Sequence, residues 1–323
     1  MHQPPSISCV IPCLNEQANL EALLPQLAAT LRALTSSYEI IVVDDGSTDG
    51  TPIFMNRWAA EHSEVVYLQF SRNFGKEAAL SAGLEASRGQ VVVCLDADLQ
   101  HPPELIPEML KRWEQGIEMV YAVRASREDE SWFKRLGTSL FYKLMRTSGG
   151  LRVPENAGDF RLMDRCVVDA LLRLPERNRF MKGLFAWVGF RSEPFYYSPP
   201  ERLHGASRFK PFKLVRFAMD GITAFTTWPL RLLSVAGTVL SLASFAYGLF
   251  IIIKYWLYGD AVQGWPTLIT VVLFFAGINL ISIGVLGEYV GRIFGEVKMR
   301  PIYIVRNKQG RGLASDESDP LKH

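Results

Sequence analysis

The chain has 323 residues, long for one domain and sufficient for one domain plus an appendage. Its 35 Lys and Arg against 33 Asp and Glu leave a formal net charge of +2, which gives no electrostatic case for a nucleic-acid partner. Four cysteines (Cys9, Cys13, Cys94, Cys166) lack zinc-ligand spacing and are expected to be reduced, as in a reducing compartment.

The N-terminus, MHQPPSISCVIP, has no basic region followed by a long apolar core, so no cleavable signal peptide is expected. SISCVIPCLN reads as a strand ending in a loop. Leu20, Leu23, Leu24, Leu27 and Leu31 then recur at helical spacing. YEIIVVDDGSTDG is a strand ending in acids and turn residues, and TPIFMNRWAAEH a helix. EVVYLQFS, GKEAALSAGLEAS and QVVVCLDAD continue as strand, helix and strand. Strands apolar on both faces and separated by helices predict an α/β domain with a largely parallel sheet and ligands beyond the carboxyl ends of its strands. The polar clusters Asn15-Glu16, Asp44-Asp45 and Asp96-Ala97-Asp98 fall at those ends. A buried strand that finishes in two carboxylates one residue apart calls for a cation between them. Further on, Phe133, Leu136, Leu140 and Leu144 form one stripe ringed by Lys134, Arg135, Lys143 and Arg146, a pattern shared by membrane-interface helices and ordinary packing helices. Residues 149–156 read as a loop over the site.

Near residue 230 the chain changes character. Residues 232–253 hold no charge between Arg231 and Lys254, and residues 261–287 hold none between Asp260 and Glu288. Each run is long enough for a membrane-crossing helix, the spans being expected at about 232–254 and 265–287. Basic residues flank the pair on its outer sides: Lys210, Lys213, Arg216 and Arg231 before it, Arg292, Lys298 and Arg300 after it. The positive-inside rule then puts both flanks in the cytoplasm. The chain is thus expected to divide into three regions: a cytoplasmic α/β domain at 1–229, two transmembrane helices within 230–290, and a cytoplasmic tail at 291–323.

VIPCLNE, VVDDGSTDGT, SRNFGKEAALSAGL and LDADLQHPPE, in that order and spacing, resemble family 2 glycosyltransferases of the GT-A fold. NAGDFRLMDR, PERNRFMKG, ERLHGASRFK and the two apolar runs ending GVLGEYVGRIFGEVKMRP narrow the resemblance to the bacterial polyprenyl-phosphate glycosyltransferases, especially bactoprenol glucosyltransferases of O-antigen modification. Dolichyl-phosphate mannose synthases are more distant relatives. The likeness covers about residues 6–305. It implies an inverting hexosyltransferase of the bacterial cytoplasmic membrane that moves glucose from UDP-glucose to undecaprenyl phosphate. Mannose, galactose or an amino sugar is the alternative within the class, and a non-catalytic scaffold or flippase component the alternative outside it. A two-span anchor leaves apolar surface that could pack against a second copy.

The resemblance also assigns roles. Mg²⁺ or Mn²⁺ would neutralise the donor diphosphate, with Asp98 on the metal and Asp96 and Gln100 as further ligands or contacts to ribose, phosphate or water, because alternate residues point the same way for as long as the chain stays extended. Pro12, Asn15, Glu16, Arg72 and Lys76 would line the donor site. Asp44 or Asp45 would meet uracil or ribose. Arg177, Arg202, Ser207 and Arg208 would take the acceptor phosphate, since guanidinium forks suit its oxygens. The family pattern has Lys after the Ser where this chain has Arg208. His204 reads as a surface-loop residue. Asp159 is implied as the catalytic carboxylate, either a base or a group that orients an arginine.

Overall fold

A computed structural model of the protein describes residues 4–124, 157–177, 179–197, 227–258 and 264–313. The expected amphipathic helix at 133–146, the loop at 149–156, and Arg202, His204, Ser207 and Arg208 lie outside the described residues.

All seven residues of strand β1, Ile7–Cys13, are buried, as are all seven of β2, Tyr38–Asp44. Both faces are covered because helices lie on both sides of the sheet. Along β1, Cys9 and Ile11 point into one apolar layer with helices α1 (Gln17–Leu34), α2 (Thr51–Glu61) and α4 (Ile106–Glu114). Val10 points into the other, with α3 (Lys76–Ala86), α5 (Arg165–Leu172) and α6 (Met181–Trp187). Helix α1 carries Pro25 in its interior, which costs about 3 kcal/mol in lost hydrogen bonding and ring clash. Five fully buried leucines, at about 1.5–3 kcal/mol each, outweigh that cost and keep the helix continuous.

The remaining strands are β3 (Val65–Phe70), β4 (Val91–Cys94), β5 (Met119–Arg124), β6 (Ala157–Asp164), β7 (Ser192–Tyr197) and β8 (Val305–Gln309). The eight-stranded sheet has the order β7-β5-β6-β4-β1-β2-β3-β8. Six strands run one way, and β6 and β8 run the other. The sheet is therefore mixed and mostly parallel. The antiparallel pairing of β6 with β4, with Arg161 opposite Cys94, brings the first residues of β6 to the carboxyl end of β4.

Two long helices come next, α7 (Trp228–Tyr258) and α8 (Trp265–Val297). Their 31 and 33 residues span about 46 and 50 Å, more than a bilayer core requires. Both are long and apolar enough to cross a membrane, and their apolar side chains, such as Leu242, Phe245, Phe274 and Leu280, are exposed. Helix α8 runs ten residues past the span end expected at 287. After it the chain does not trail away as a simple tail. Seven residues later it re-enters the sheet as β8, antiparallel to β3. That strand, VRNKQ, is polar and alternates only between half-buried and exposed, so it lacks the apolar pattern by which the other strands are read.

Candidate active site

The parallel strands deliver their loops to one edge. Pro12, Cys13, Leu14 and Glu16 come from the end of β1, Asp45 from the end of β2, and Asp96, Ala97 and Asp98 from beyond β4. With Asn73, Gly75, Lys76 and Ala79 they line an open cavity of about 380 Å³, within the range of small-molecule sites.

The two adjacent carboxylates at the end of β2 have different surroundings. Asp44 is fully buried, accepting from the Tyr67 hydroxyl at 2.8 Å and the Ser47 amide at 2.8 Å, and does not line the cavity. Asp45 lines it and accepts from the amides of Phe74 and Gly75, clamping the loop that precedes α3. Burial raises the Asp45 pKa. Asn15, in a left-handed conformation at φ 57°, staples the β1 loop to the β2 loop: its side-chain oxygen accepts from the Thr48 amide at 2.8 Å. Glu16 accepts from the Asn19 side chain at 2.5 Å. Burial raises its pKa, and the charges of Asp98, Asp49 and Asp96 add to the effect. Arg72 does not line the cavity; its guanidinium lies 4.0 Å above the Phe74 ring.

The chain does not stay extended through the acidic motif. Strand β4 ends at Cys94, residues 97 and 98 form a turn, and Leu99 sits at φ 60°. The two-residue period expected to carry Gln100 into line with Asp96 and Asp98 is therefore broken. Gln100 is buried, and its amide caps the Asp98 carboxylate at 3.2 Å. The turn instead brings in His101, whose ligand atom and those of Asp96 and Asp98 all lie within 4.8 Å of one another. Two carboxylates bordering an open cavity, with a buried imidazole close behind them, fit a divalent cation.

Lys76 joins two strands. Its ammonium lies 2.6 Å from Asp96 Oδ1 and 2.5 Å from Asp159 Oδ2. Burial alone would lower its pKa, but the two carboxylates more than reverse this and hold it above its ordinary value. Asp159 is the mirror case. Burial would raise its pKa, yet Lys76, Lys182 and Arg161 bring it down to about 2. Of its neighbours, Lys182, Arg161 and Glu77 were not singled out from the sequence. Arg161 shares a face of β6 with Asp159, two residues on. It is buried, its guanidinium 3.7 Å above the Phe185 ring and donating to the Gly158 carbonyl. Glu77, next to Lys76, accepts from the Met181 amide, and burial together with the Asp159 charge pushes its pKa up to about 7.

Arg177 is not part of this cluster. Its amide donates to both carboxylate oxygens of Glu296 at 3.1 and 3.0 Å, and its guanidinium donates to the Arg300 carbonyl. It joins the loop after α5 to the end of α8.

A mostly parallel sheet with helices on both faces, carrying a carboxylate-lined cavity at its carboxyl edge, is the arrangement of GT-A glycosyltransferases. Residues 8–172 match glycosyl transferase family 2, and the chain belongs to that family. Residues 228–293 match the GtrB C-terminal hairpin, which places it among the members that carry this two-helix appendage. It is 45% identical to an uncharacterised glycosyltransferase of Synechocystis over 94% of this chain and 96% of that one. It is 43% identical to the bactoprenol glucosyl transferase of Shigella phage SfV over 94% and 99% of the two chains. A prophage bactoprenol glucosyl transferase homologue of Escherichia coli K12 is 42% identical, over 93% and 98%. Among solved structures, the Mycobacterium tuberculosis glucosyl-3-phosphoglycerate synthase with Mn²⁺, UDP and phosphoglyceric acid aligns at a TM-score of 0.46 and 23% identity, over 68% of this chain and 76% of that one.

Proposed function

We propose that this glycosyltransferase moves glucose from UDP-glucose to undecaprenyl phosphate at the cytoplasmic face of a bacterial membrane, with inversion at the anomeric carbon. The observation that carries the reading is the joining, in one chain, of a carboxylate-lined cavity to a two-helix membrane hairpin. The bactoprenol glucosyl transferases match over nearly that whole length.

In this reading a phosphate oxygen of the lipid attacks the anomeric carbon as its bond to UDP breaks, and UDP leaves. The acceptor phosphate has a second pKa near 6 and is mostly dianionic at pH 7, so it needs little help in losing a proton. Asp159, held at about 2, is a weak proton acceptor, which favours orientation of cationic groups over base catalysis. Asp45 is the better candidate than Asp44 for the nucleoside, because it borders the cavity while both oxygens of Asp44 are engaged inside. Pro12 and Glu16 border the same space, whereas Asn15 shapes the loop from behind. Asp96 and Asp98, with His101 beside them, would hold Mg²⁺ or Mn²⁺, which supplies positive charge to the leaving diphosphate. Lys76 supplies the next positive charge along the cavity.

The test is to incubate membranes containing the protein with radiolabelled nucleotide sugars and extract the lipid. Label from UDP-glucose should enter the organic phase as an acid-labile phosphosugar. Label entering only from another nucleotide sugar would replace glucose, and no lipid label from any donor would overturn the activity. Asp98→Asn, which keeps size and removes charge, should abolish nearly all transfer, as should EDTA on the wild type. Full activity in the EDTA-washed enzyme would remove the metal.

A further inference from the structure

His101 is close enough to Asp96 and Asp98 to pass for a third metal ligand, but its hydrogen bond argues for a different task. The backbone amide of Asp96 donates to His101 Nδ1 at 3.3 Å. A neutral imidazole has one nitrogen with a lone pair and one that bears a proton. With the lone pair at Nδ1 directed to an amide, the proton sits on Nε2, and neither nitrogen has a lone pair left for a cation. The ring is buried in a three-ring cluster: it stacks on Phe160 at 5.0 Å and 23°, and lies 6.2 Å from Tyr197, which itself meets Phe160 edge-on. Phe160 directly follows Asp159 on β6, and Tyr197 ends β7. One side chain therefore joins the acidic turn, through its amide, to the strand that carries the proposed catalytic carboxylate.

We propose that His101 is a positioning residue: it pins the Asp96–Asp98 turn to β6, so that the two carboxylates converge on the cation at a fixed distance from Asp159, without binding the cation itself. The proposal rests on the reading of Asp96 and Asp98 as metal ligands. It has a chemical signature, because the needed atom is an acceptor at the δ position of the side chain. Asn carries an oxygen there, and Phe keeps the stacked ring without the acceptor. Groups that hold a metal's ligands in place typically contribute 10- to 100-fold to its affinity.

The test uses the full-length protein in detergent with UDP present. Mn²⁺ is titrated and its free fraction read from the aqueous electron paramagnetic resonance signal, with no turnover involved. His101→Phe should weaken Mn²⁺ binding at least tenfold, and His101→Asn should recover most of that loss. Pulsed electron paramagnetic resonance on the wild type should lack the strong ¹⁴N coupling of a directly bound imidazole, and that measurement needs no variant to fold. Such a coupling, or an Asn variant no better than the Phe variant, or a Phe variant that binds like the wild type, would each overturn the positioning role and leave the metal reading intact. A wild type that takes up no Mn²⁺ would bring down both.

Discussion

Lys76 holds together two carboxylates that reach it from different strands, and this bears directly on Asp159. With its pKa near 2, Asp159 stays an anion throughout the working range. Asp159→Asn should cut turnover at least a hundredfold, about 2.7 kcal/mol of barrier, while UDP-glucose still binds. Raising the pH from 7 to 8.5 should restore none of it, since the missing function is an oriented charge. Partial recovery at pH 8.5, measured in the same lipid-extraction assay, would make Asp159 a base instead. Glu77 behaves in the opposite sense. Its folded pKa, about 7, lies above its ordinary 4.5. The folded state therefore holds a proton that the unfolded state releases, and stability present below about pH 4.5 is lost as the pH rises through 7. Glu77→Gln keeps an acceptor for the Met181 amide and removes the titration. Its melting temperature should exceed that of the wild type by a few degrees at pH 8, with the gap closing near pH 5. Equal gaps at both pH values would rule out a charge effect. Arg161 and Glu77 escaped the sequence reading because a buried arginine in a strand and a glutamate in the first turn of a helix both look like ordinary surface positions until the topology packs them beside Asp159.

At the scale of elements, the parallel strands and their helices were legible because runs apolar on both faces between amphipathic segments have few other ways to bury themselves. The acidic motif was legible as a pair of carboxylates at a strand end, but the turn that follows it was not. Reading it as extended chain through Gln100 ignored how soon β4 ends, and the turn at Leu99 is what brings His101 into place. Strand β8 left no apolar trace, and its evidence lies in backbone contacts. Gly310, just past its end, adopts φ +86°, and a Cβ there would come within 1.9 Å of the Val65 carbonyl oxygen. Gly116 has a similar φ of +89° with open space around it. Gly310→Ala should therefore cost clearly more than Gly116→Ala, whose penalty is the left-handed conformation alone, about 1–2 kcal/mol. Thermal unfolding of the detergent-solubilised protein compares the two, and equal losses would mean that the chain end does not seat on β3 in solution.

At the scale of the whole molecule, the seven residues between α8 and β8 reach at most about 25 Å. The carboxyl end of α8 must therefore lie beside the sheet, as the bonds from Arg177 to Glu296 and Arg300 show. Tyr303 adds a stacked contact with Phe70 at 5.0 Å and donates its hydroxyl to Glu85 at 2.6 Å. If α7 and α8 cross as a hairpin, catalytic domain and C-terminus share one side of the membrane. Cysteine labelling or reporter fusions should put residues 4–197 and 298–313 in the cytoplasm and the connection at 258–264 outside. A reporter after residue 313 read on the outer side would break this arrangement. The sequence could suggest it only through flanking Lys and Arg. The contacts that tie the hairpin to the domain join residues more than a hundred positions apart, a separation at which no local pattern gives a signal.

The return of the chain to β3 also sets an order of events during synthesis. Seven strands of the sheet leave the ribosome before the hairpin, and the eighth leaves after it. If α7 and α8 are membrane spans, β3 presents an open row of amides and carbonyls until both have inserted and the last segment is released, the kind of edge on which chains aggregate. Insertion of the hairpin would then be a step in finishing the sheet, and a chain whose hairpin fails to insert would keep an unsealed edge for chaperones and proteases to find.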